Sequence, residues 1–350
     1  MAATTVTQSL TFPPELFATL SPSPFLLAHL SSSSSTRPNG RTSSTFRKPT
    51  VNTNSLSHCN GSAVVRLGNT ACVCGIRAEI LPSSDVANPS YIPTSLTPES
   101  PDTNMADDDA DNEDEDIDDG PEMASLNLLV PNIELSTGSS PAHLPGNPPS
   151  TLAQSLSQRL LDLLHSTRLI RAKDLRILYQ PPLLEDDEEP DAEPTVEVKA
   201  YWVLYIDILF ISLDGNAFDA AWGSVLAALK NTKLPKAWWD QDLGSILCSD
   251  AVAEANELTL RGLPVAATFA VFDTRRGKGM KGKTGSWVLA DPDTFEEAQC
   301  EESVTVVVDD GGRIRRIEKS GGGVVGKAHL RDLVELSQRR REEWKQVLNI

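Results

Sequence analysis

The loop from Asp214 to Asp219, DGNAFD, lies where a protein could hold an anion. It follows an apolar run and precedes a helical pattern, so it would sit at a helix N-terminus, where free backbone N–H groups and the helix dipole attract negative groups. Its side chains do not favour phosphate. Phe218 supplies neither a cation nor a donor, and Asp219 in the first helical turn would complement the dipole itself. The loop has the position of an anion site without suitable residues.

A second candidate is the glycine-rich run from Gly321 to Ala328, GGGVVGKA. It follows strand-like sequence and precedes a helical pattern, as the phosphate-cradling loop of nucleotide-binding proteins does. Ala328 stands where that loop needs a Ser or Thr to reach magnesium, and no convincing apolar strand ends in a second metal-binding Asp. The sequence therefore does not favour nucleotide binding here.

The loop at Asp214 is positioned by a predicted strand and a predicted helix. The run from Trp202 to Ile211, WVLYIDILFI, is so continuously apolar that we expect a strand buried on both faces. After the loop, three-four spacing predicts a helix packed by one face, with Phe218, Ala221, Trp222, Val225, Leu226 and Leu229 on that face.

Several stretches resemble the ribonuclease PH family, in particular the ring subunits of the eukaryotic exosome. The wording is closest in the hairpin from Gly61 to Ile80, in LLVPNIEL at 128–135, and in DGNAFDAA. The family motif R-P-D-G-R is matched by Arg37 to Arg41, with Asn39 in place of the Asp. The resemblance implies an α+β, ribonuclease PH-like fold of two stacked βαβ-type halves.

The same resemblance identifies a catalytic apparatus that is incomplete in this chain. Active members hold the phosphate that attacks RNA in a Gly-Thr-Arg loop, and here that loop is Asn216, Ala217 and Phe218. Their carboxylate array D-x-D-x-x-E-D, which supports metal-assisted or acid catalysis, is partly kept as Asp291, Asp293 and Glu297. Because phosphorolysis brings two anions together, it requires cations and preorganised donors that this loop lacks. We expect no catalytic residues.

The resemblance thus implies a non-catalytic ring subunit of the RNA exosome, which scaffolds 3′ to 5′ RNA processing and degradation and helps form the RNA channel. The alternative is a phosphorolytic 3′ to 5′ exoribonuclease whose site is shared with a neighbour. The implied partners are other ribonuclease PH-like subunits in a hetero-hexameric ring, OB- and KH-containing cap subunits, RNA and an associated nuclease. The implied location is the nucleus and nucleolus, and also the cytoplasm. No cofactor is implied.

A helix is predicted to follow the 128–135 segment, capped by Ser150 or Thr151 with Gln154 completing a capping box. Its buried stripe would be Leu152, Leu156, Leu160, Leu163 and Leu164. In ring-forming relatives the corresponding helix carries RNA-contacting arginines towards the channel. The cations available here are Arg159, His165 and Arg168. A solvated helix face explains these charges equally well.

The formal net charge of −18 is concentrated in two segments. Residues 102–122 contain 12 acids and no Lys or Arg, and residues 185–197 contain 8. The remaining 29 acids face 31 Lys and Arg, so composition does not exclude contact with RNA. We predict a disordered acidic insertion at 81–124 and a second acidic loop at 183–197, with the folded domain formed by residues 12–80 and 125–350.

The cysteines, the length of the apolar runs and the composition of the N-terminal segment limit the cellular compartments in which the protein is expected. Five cysteines, an odd number lying mostly in strand-like sequence, are typical of buried reduced thiols in an intracellular protein. Cys72 and Cys74 have poor zinc spacing, and we predict no metal site. No apolar run is long enough to span a bilayer, so no membrane association is expected. The first 78 residues contain only one acid, Glu15, which leaves an organelle-targeting segment as an alternative.

Overall fold

The computed structural model describes residues 13–32, 35–86, 120–141, 143–144, 146–181, 196–274, 285–322 and 326–348. The helices of this part of the chain are α1 (Pro14–Leu20), α2 (Pro22–Leu30), α3 (Gly120–Ser125), α4 (Thr151–Thr167), α5 (Ala172–Leu175), α6 (Ala217–Lys230), α7 (Thr294–Gln299) and α8 (Lys327–Leu348). None of these helices is both long enough and apolar enough to cross a membrane.

The strands are β1 (Pro49–Thr53), β2 (Gly61–Leu67), β3 (Thr70–Pro82), β4 (Leu129–Leu135), β5 (Arg176–Tyr179), β6 (Glu197–Ser212), β7 (Lys233–Leu234), β8 (Ala237–Asp240), β9 (Ser245–Cys248), β10 (Asn256–Glu257), β11 (Val265–Asp273), β12 (Ser286–Ala290), β13 (Glu302–Val308) and β14 (Ile314–Ser320). They form two main sheets and two short antiparallel pairs, β7 with β10 and β8 with β9.

The first main sheet has the order β1-β2-β3-β6-β4, and β5 also pairs with β6. The predicted hairpin is present as β2 and β3, which reverse at Gly68 and Asn69. All pairs in the sheet are antiparallel except β4 with β6, which run in the same direction. A parallel pair needs a crossover, and α4 lies in the connection between them.

The second main sheet, β12-β11-β13-β14, is antiparallel throughout. Helix α6 lies between the two sheets and contacts β2 and β3 of the first and β11 of the second. Every residue from Phe218 to Leu229 is buried. The prediction that this helix packs by one face is therefore wrong: it is buried on all sides because protein surrounds it.

Two predictions of burial and one of helix capping are corrected by the structure. The predicted central strand, β6, is mostly buried up to Ile208, but Leu209 and Ile211 near its end are 38% and 49% exposed, so this strand is not buried on both faces along its whole length. Leu152 is exposed rather than part of the α4 stripe. The predicted capping box of α4 is also absent: Ser150 accepts from Ala153 N, while Gln154 donates to the Pro149 carbonyl.

Most of the predicted acidic insertion, residues 87–119, lies outside the described residues. Its predicted edges are corrected, because β3 continues to Pro82 and α3 begins at Gly120. Both edges meet at one residue of β6. Leu81 lies opposite Tyr201 in the sheet, and the Tyr201 hydroxyl donates to Glu122 Oε1 at 2.8 Å. Arg176 forms an ion pair with Glu122.

The second predicted acidic loop connects β5 to β6. Residues 183–195 lie outside the described residues, whereas Glu197 is the first residue of β6 and pairs with Tyr179. The five cysteines are free thiols, and Cys72 and Cys74 are buried in β3.

Candidate functional site

The loop before α6 is held in an unusual backbone conformation. Gly215 and Asn216 have φ of 70° and 51°, in the left-handed region that favours glycine and asparagine. A side chain at Gly215 would also lie 2.5 Å from the Asp293 carbonyl carbon. The loop is therefore fitted closely against the acidic run at 291–297.

The anion position at the N-terminus of α6 is taken by a carboxylate of the protein itself. The backbone N–H of Asn216 donates to Glu297 Oε1 at 2.7 Å. Desolvation raises the pKa of Glu297, although the Asn216 hydrogen bond and the charge of Arg47 oppose the shift. A phosphate would have to displace Glu297 to use this N–H.

Beside the loop lies a cavity of about 340 Å³. Arg159 reaches it from α4, with its guanidinium 4.0 Å from the centre of the Phe218 ring. Its Nε lies 2.9 Å from Glu318 Oε1 and its Nη2 lies 3.3 Å from Thr305 Oγ1. The charged residues in the lining are one arginine and three glutamates: Arg159, Glu297, Glu301 and Glu302. The cavity is thus more acidic than basic.

Asp291, the first residue of the predicted acid array, is fully buried in a two-sided ion pair with Arg47. Arg47 Nη2 donates to Oδ1 at 2.7 Å and Arg47 Nε donates to Oδ2 at 2.8 Å. Asn216 Nδ2 adds a hydrogen bond of 2.7 Å. Burial alone would raise the pKa of Asp291, but these bonds and the Arg47 charge hold it below its ordinary value. Asp291 is therefore a charged structural anchor.

Asp293 also has a structural role in this chain. It is the N-cap of α7, accepting from Glu296 N at 2.9 Å, and Glu296 returns a bond to Asp293 N. Arg37 Nη1 donates to the buried Glu296 at 3.0 Å. Asn39 Nδ2 donates to Asp293 Oδ2 at 2.8 Å, which an aspartate at position 39 could not do. Asn39, which replaces the aspartate of the family motif, thus has its own hydrogen-bond partner in this protein.

Asp219 points into the protein rather than towards the loop's anion position. It is 2% exposed and accepts from Thr268 N at 2.9 Å and Thr268 Oγ1 at 2.7 Å. Burial raises the pKa of Asp219, while hydrogen bonds from Asn216 and Thr268 oppose the shift. The sequence led us to expect that Asp219 complements the helix dipole. It did not predict these hydrogen bonds from Thr268, which link α6 to β11.

The structure brings some predicted site residues together and separates others. Asn216, Asp291 and Glu297 meet at the start of α6, and Phe218 meets Arg159. The other two cations on α4 lie elsewhere. Burial lowers the pKa of His165, and its Nε2 has no hydrogen-bond partner among the described residues. Arg168 is the left-handed C-cap of α4.

The sequence did not predict the role of Arg47, which contacts both the loop before α6 and the acidic run at 291–297. Besides Asp291, it donates to the Asp214 carbonyl at 2.7 Å and to the Gly215 carbonyl at 3.3 Å. No local pattern around position 47 indicates this role, because its partners are far away in sequence. Together with Arg37 and Arg41 it supplies the cations that neutralise the acidic run.

Comparison with known proteins gives consistent matches over nearly the whole chain. Residues 45–235 match the 3′ exoribonuclease family, domain 1, and residues 262–340 match domain 2 of that family. Exosome complex component rrp43 of Schizosaccharomyces pombe is 31% identical over 95% of this chain and 96% of its own length. Exosome complex component Rrp42 of Thermococcus gammatolerans is 25% identical over 89% of each chain.

Solved structures share the architecture. An Archaeoglobus fulgidus exosome with RNA bound to the active site contains a chain that matches with a TM-score of 0.60 and 22% identity, over 93% of this chain and 96% of its own. A chain of an archaeal exosome core matches with a TM-score of 0.58 and 19% identity, over 95% and 100%. The likeness concerns the fold, and it confirms the predicted α+β architecture.

Proposed function

Since the chain belongs to the 3′ exoribonuclease family of ribonuclease PH-like proteins, as its motifs predicted, we propose that it is a ring subunit of an RNA exosome. In this role it scaffolds 3′ to 5′ processing and degradation of RNA and helps to form the channel through which RNA passes. Support comes from relatives that are named as exosome components and match almost end to end. Its neighbours in the ring are other ribonuclease PH-like subunits, with OB- and KH-containing caps, RNA and a separate nuclease as further partners. Its proposed location is the nucleus, nucleolus and cytoplasm.

We further propose that the subunit has no active site of its own. The observation that carries this is the hydrogen bond from Asn216 N to Glu297, which fills the helix N-terminus with a carboxylate. Phe218 replaces a cation in the loop, and glutamates outnumber the arginine around the adjoining cavity. A phosphorolytic transition state needs positive charge at this position, because two anions approach each other there.

Purification of the tagged protein from its own cells tests the ring assignment. Mass spectrometry of the proteins retained through a moderate-salt wash should find other ribonuclease PH-like chains and cap proteins in near-equal amounts. Recovery of this chain alone, or only as a homo-oligomer, would contradict the assignment.

The proposed lack of activity is tested on the same material. We expect no phosphate-dependent release of nucleoside diphosphates from RNA that depends on this subunit. The informative variant is Asp293→Asn, because asparagine is also a good N-cap and preserves α7. Phosphorolysis by the assembled complex that is lost in this variant would instead support a site shared with a neighbour.

A further inference from the structure

An antiparallel hairpin, formed by β8 and β9, lies between the two family domains of the chain. The match to domain 1 ends at residue 235 and the match to domain 2 begins at residue 262, and both strands fall between them. Within the described chain β8 and β9 pair only with each other, as a small sheet of their own. We refer to residues 237–250 as the β8–β9 hairpin. A role for it would be one that the two family domains do not account for.

One side of the β8–β9 hairpin packs on the body of the protein. Trp239 and Ile246 lie opposite each other in the register, so their side chains are on the same side. Ile246 packs against the main hydrophobic core, and the Trp239 ring lies 5.4 Å from Lys199 Nζ. Tyr179 Oη donates to Gln241 Oε1 at 3.1 Å. These contacts fix the position of the hairpin on β5 and β6.

The other side of the β8–β9 hairpin presents apolar side chains to solvent. Trp238 and Leu247 lie opposite each other, and Trp238 is 40% exposed. Leu243 lies in the turn, where polar and small residues are usual, and is 67% exposed. Single exposed apolar residues are common, but three on one short hairpin form a patch. We refer to Trp238, Leu243 and Leu247 as the apolar patch.

The turn that carries Leu243 is fixed by its own hydrogen bonds. Asp240 Oδ1 accepts from Asp242 N at 2.9 Å and from Leu243 N at 3.0 Å. Gly244 completes the turn with φ of 59°, and nothing in the described chain lies within 4 Å of the position that a side chain at 244 would take. Leu243 is thus held on an open tip, so a partner that covers it does not have to order the loop first.

The β8–β9 hairpin is acidic and carries no positive charge of its own. It contains Asp240, Asp242 and Asp250 and no Lys or Arg. None of these three aspartates forms an ion pair with another described residue. The lysines beside the hairpin, Lys199 and Lys236, each pair with a glutamate. The surface around the apolar patch is therefore negatively charged.

This combination selects a protein segment rather than RNA. Negative charge repels the phosphate backbone, which supplies most of the affinity in nucleic-acid binding. Apolar side chains with a charged rim are typical of protein interfaces, in which tryptophan is a frequent anchor. A partner that fits would place apolar side chains against Trp238 and Lys or Arg near the three aspartates. A surface of this size suits a short segment of chain.

We propose that the β8–β9 hairpin docks a basic, amphipathic segment of a protein from outside the ring. The partner's apolar side chains cover the apolar patch, and its lysines or arginines pair with the three aspartates. The partner comes from outside the ring because contacts among members of one family would use the family domains, which stop short of the hairpin on either side. Only this last point rests on the proposed function as a ring subunit.

Carbodiimide crosslinking of the complex, purified from its own cells at low salt, tests the inference. The reagent joins a carboxylate to a lysine amine in ion-pair contact, so the aspartates of the hairpin report directly on a docked basic segment. Mass spectrometry should find Asp242 or Asp250 joined to a lysine in a segment that is rich in Lys, Arg and apolar residues. That segment should belong to a protein outside the ribonuclease PH family.

The informative variant is Trp238→Thr with Leu243→Ser, which removes two members of the apolar patch and keeps all three aspartates. Both positions are exposed and threonine retains a high β propensity, so the hairpin should still fold. The crosslink yield should fall roughly tenfold, because an aromatic anchor carries much of the affinity of a small interface. The control is Ile314→Thr with Ile317→Thr on β14, whose side chains are 46% and 47% exposed, and it should leave the yield unchanged.

A synthetic peptide with the sequence of the crosslinked segment gives a second readout. Its affinity for the purified complex, measured by fluorescence anisotropy, should be roughly tenfold lower for the double variant than for the wild type or the control. Unchanged thermal unfolding of the double variant shows that its hairpin is still folded. An unchanged crosslink yield and peptide affinity in that variant would show that the apolar patch takes no part in docking.

The remaining outcomes contradict the inference in different ways. If the three aspartates form no crosslink while other carboxylates of the chain do, no basic segment docks on the hairpin. A crosslink to a ribonuclease PH-like subunit would make the hairpin a ring contact, and ultraviolet crosslinking of the hairpin to RNA would assign it to nucleic acid. If no ring subunits co-purify but the aspartates still crosslink to a basic segment, the ring assignment fails and the docking surface stands.

Discussion

The ion pair between Arg47 and Asp291 is the residue-scale feature on which the site depends. Neither side chain is more than 9% exposed, and Arg47 also hydrogen-bonds the two carbonyls of the loop before α6. A buried carboxylate left without its cation cannot regain its hydration, so the pair is needed even though forming it contributes little. The sequence predicts the position of Asp291 after a strand, but it carries no signal for a partner 244 residues away.

Replacing Arg47 by methionine should destabilise the protein strongly. Methionine keeps much of the apolar stem but removes the two-sided partner of Asp291, which is left with Arg41 Nη1 at 3.3 Å and Asn216 Nδ2 at 2.7 Å. The loss should therefore lie near the lower end of the range for a broken buried pair, about 3 kcal/mol. Urea unfolding followed by circular dichroism measures the change. The control is Arg77→Met, because Arg77 is 54% exposed in its pair with Asp207 and should lose less than about 1 kcal/mol. Equal losses of stability in the two variants would show that the buried Arg47 pair contributes no more to stability than an exposed ion pair does.

The raised pKa of Glu297 makes the stability of the protein depend on pH, and a single substitution can isolate this contribution. A carboxyl group whose pKa is higher in the folded state binds protons on folding, so its contribution to stability increases as pH falls from neutral towards its ordinary value of 4.5. Glu297→Gln keeps an oxygen acceptor for Asn216 N. The variant should be more stable than the wild type at neutral pH, and the difference should shrink towards pH 4.5.

Glu301→Gln is the control for that experiment, since Glu301 lines the same cavity. Thermal unfolding at several pH values measures both variants. An unchanged pH profile in Glu297→Gln would mean that the carboxylate is as well solvated in the folded state as in the unfolded one. The lowered pKa of Asp291 acts in the opposite sense and at lower pH, below its ordinary value of 3.8, so the two effects are separable.

At the scale of elements, helix α8 shows what periodicity can and cannot predict. The spacing of apolar residues along this helix predicts a buried stripe that includes Leu333, Trp344 and Leu348, and all three are buried. The charged residues at 339–343 also predict a solvent-exposed face, and this prediction is wrong for Arg340 and Arg341. Arg340 is fully buried against the rings of Phe46 and Trp344, and Arg341 pairs with Asp310. The segment that covers Arg340 comes from the other end of the chain, so no helical pattern could reveal it.

The contact between α6 and α8 predicts the effect of Gly223→Ala. In an open helix this change would stabilise by about 1 kcal/mol through helix propensity. Here the added methyl would lie 2.2 Å from Trp344 Cη2, and Trp344 is 1% exposed, so overpacking of about 2–3 kcal/mol should prevail. We expect a net loss of about 1–2 kcal/mol in chemical denaturation.

Two further variants check this explanation. Trp344→Leu in the Gly223→Ala background should cost less than Trp344→Leu costs alone, because the smaller side chain relieves the clash. Gly326→Ala adds a methyl group in open space, with only His329 Nδ1 at 3.9 Å. It meets no clash and should cost no more than about 1 kcal/mol, the effect of a poorer N-cap where Gly326 O accepts the first bond of α8. Additive effects of the two core changes would contradict a steric cause.

On the scale of the whole molecule, the two described edges of the acidic insertion meet at one place on the first sheet. Leu81 and Glu122 both meet Tyr201, so the chain leaves and returns at the same place on β6. Replacing residues 87–119 by a short Gly/Ser linker should leave the thermal midpoint unchanged or slightly higher, because a shorter loop costs less closure entropy. A loss comparable to that of a core mutation would show that the insertion packs on the domain.

The matched control is Tyr201→Phe, which leaves the insertion in place but removes the hydrogen bond to Glu122. That change should cost about 1–2 kcal/mol, since one oxygen of a buried carboxylate loses a donor. The acidic composition predicts an insertion at 81–124, and the described elements β3 and α3 extend into that range by a few residues at each end. Its attachment point could not be predicted, because neither Glu122 nor Tyr201 stands out from its neighbours in the sequence.

The complete burial of α6 has a consequence for synthesis of the protein. The match to domain 1 of the family ends at residue 235, yet the helix within it is covered by β11 and by Trp344, which belong to the later part of the chain. A nascent chain that has emerged only to that point would expose an apolar helix on one side. Stable packing of α6 is therefore expected only after α8 leaves the ribosome, and until then the uncovered side of the helix would offer chaperones an apolar surface.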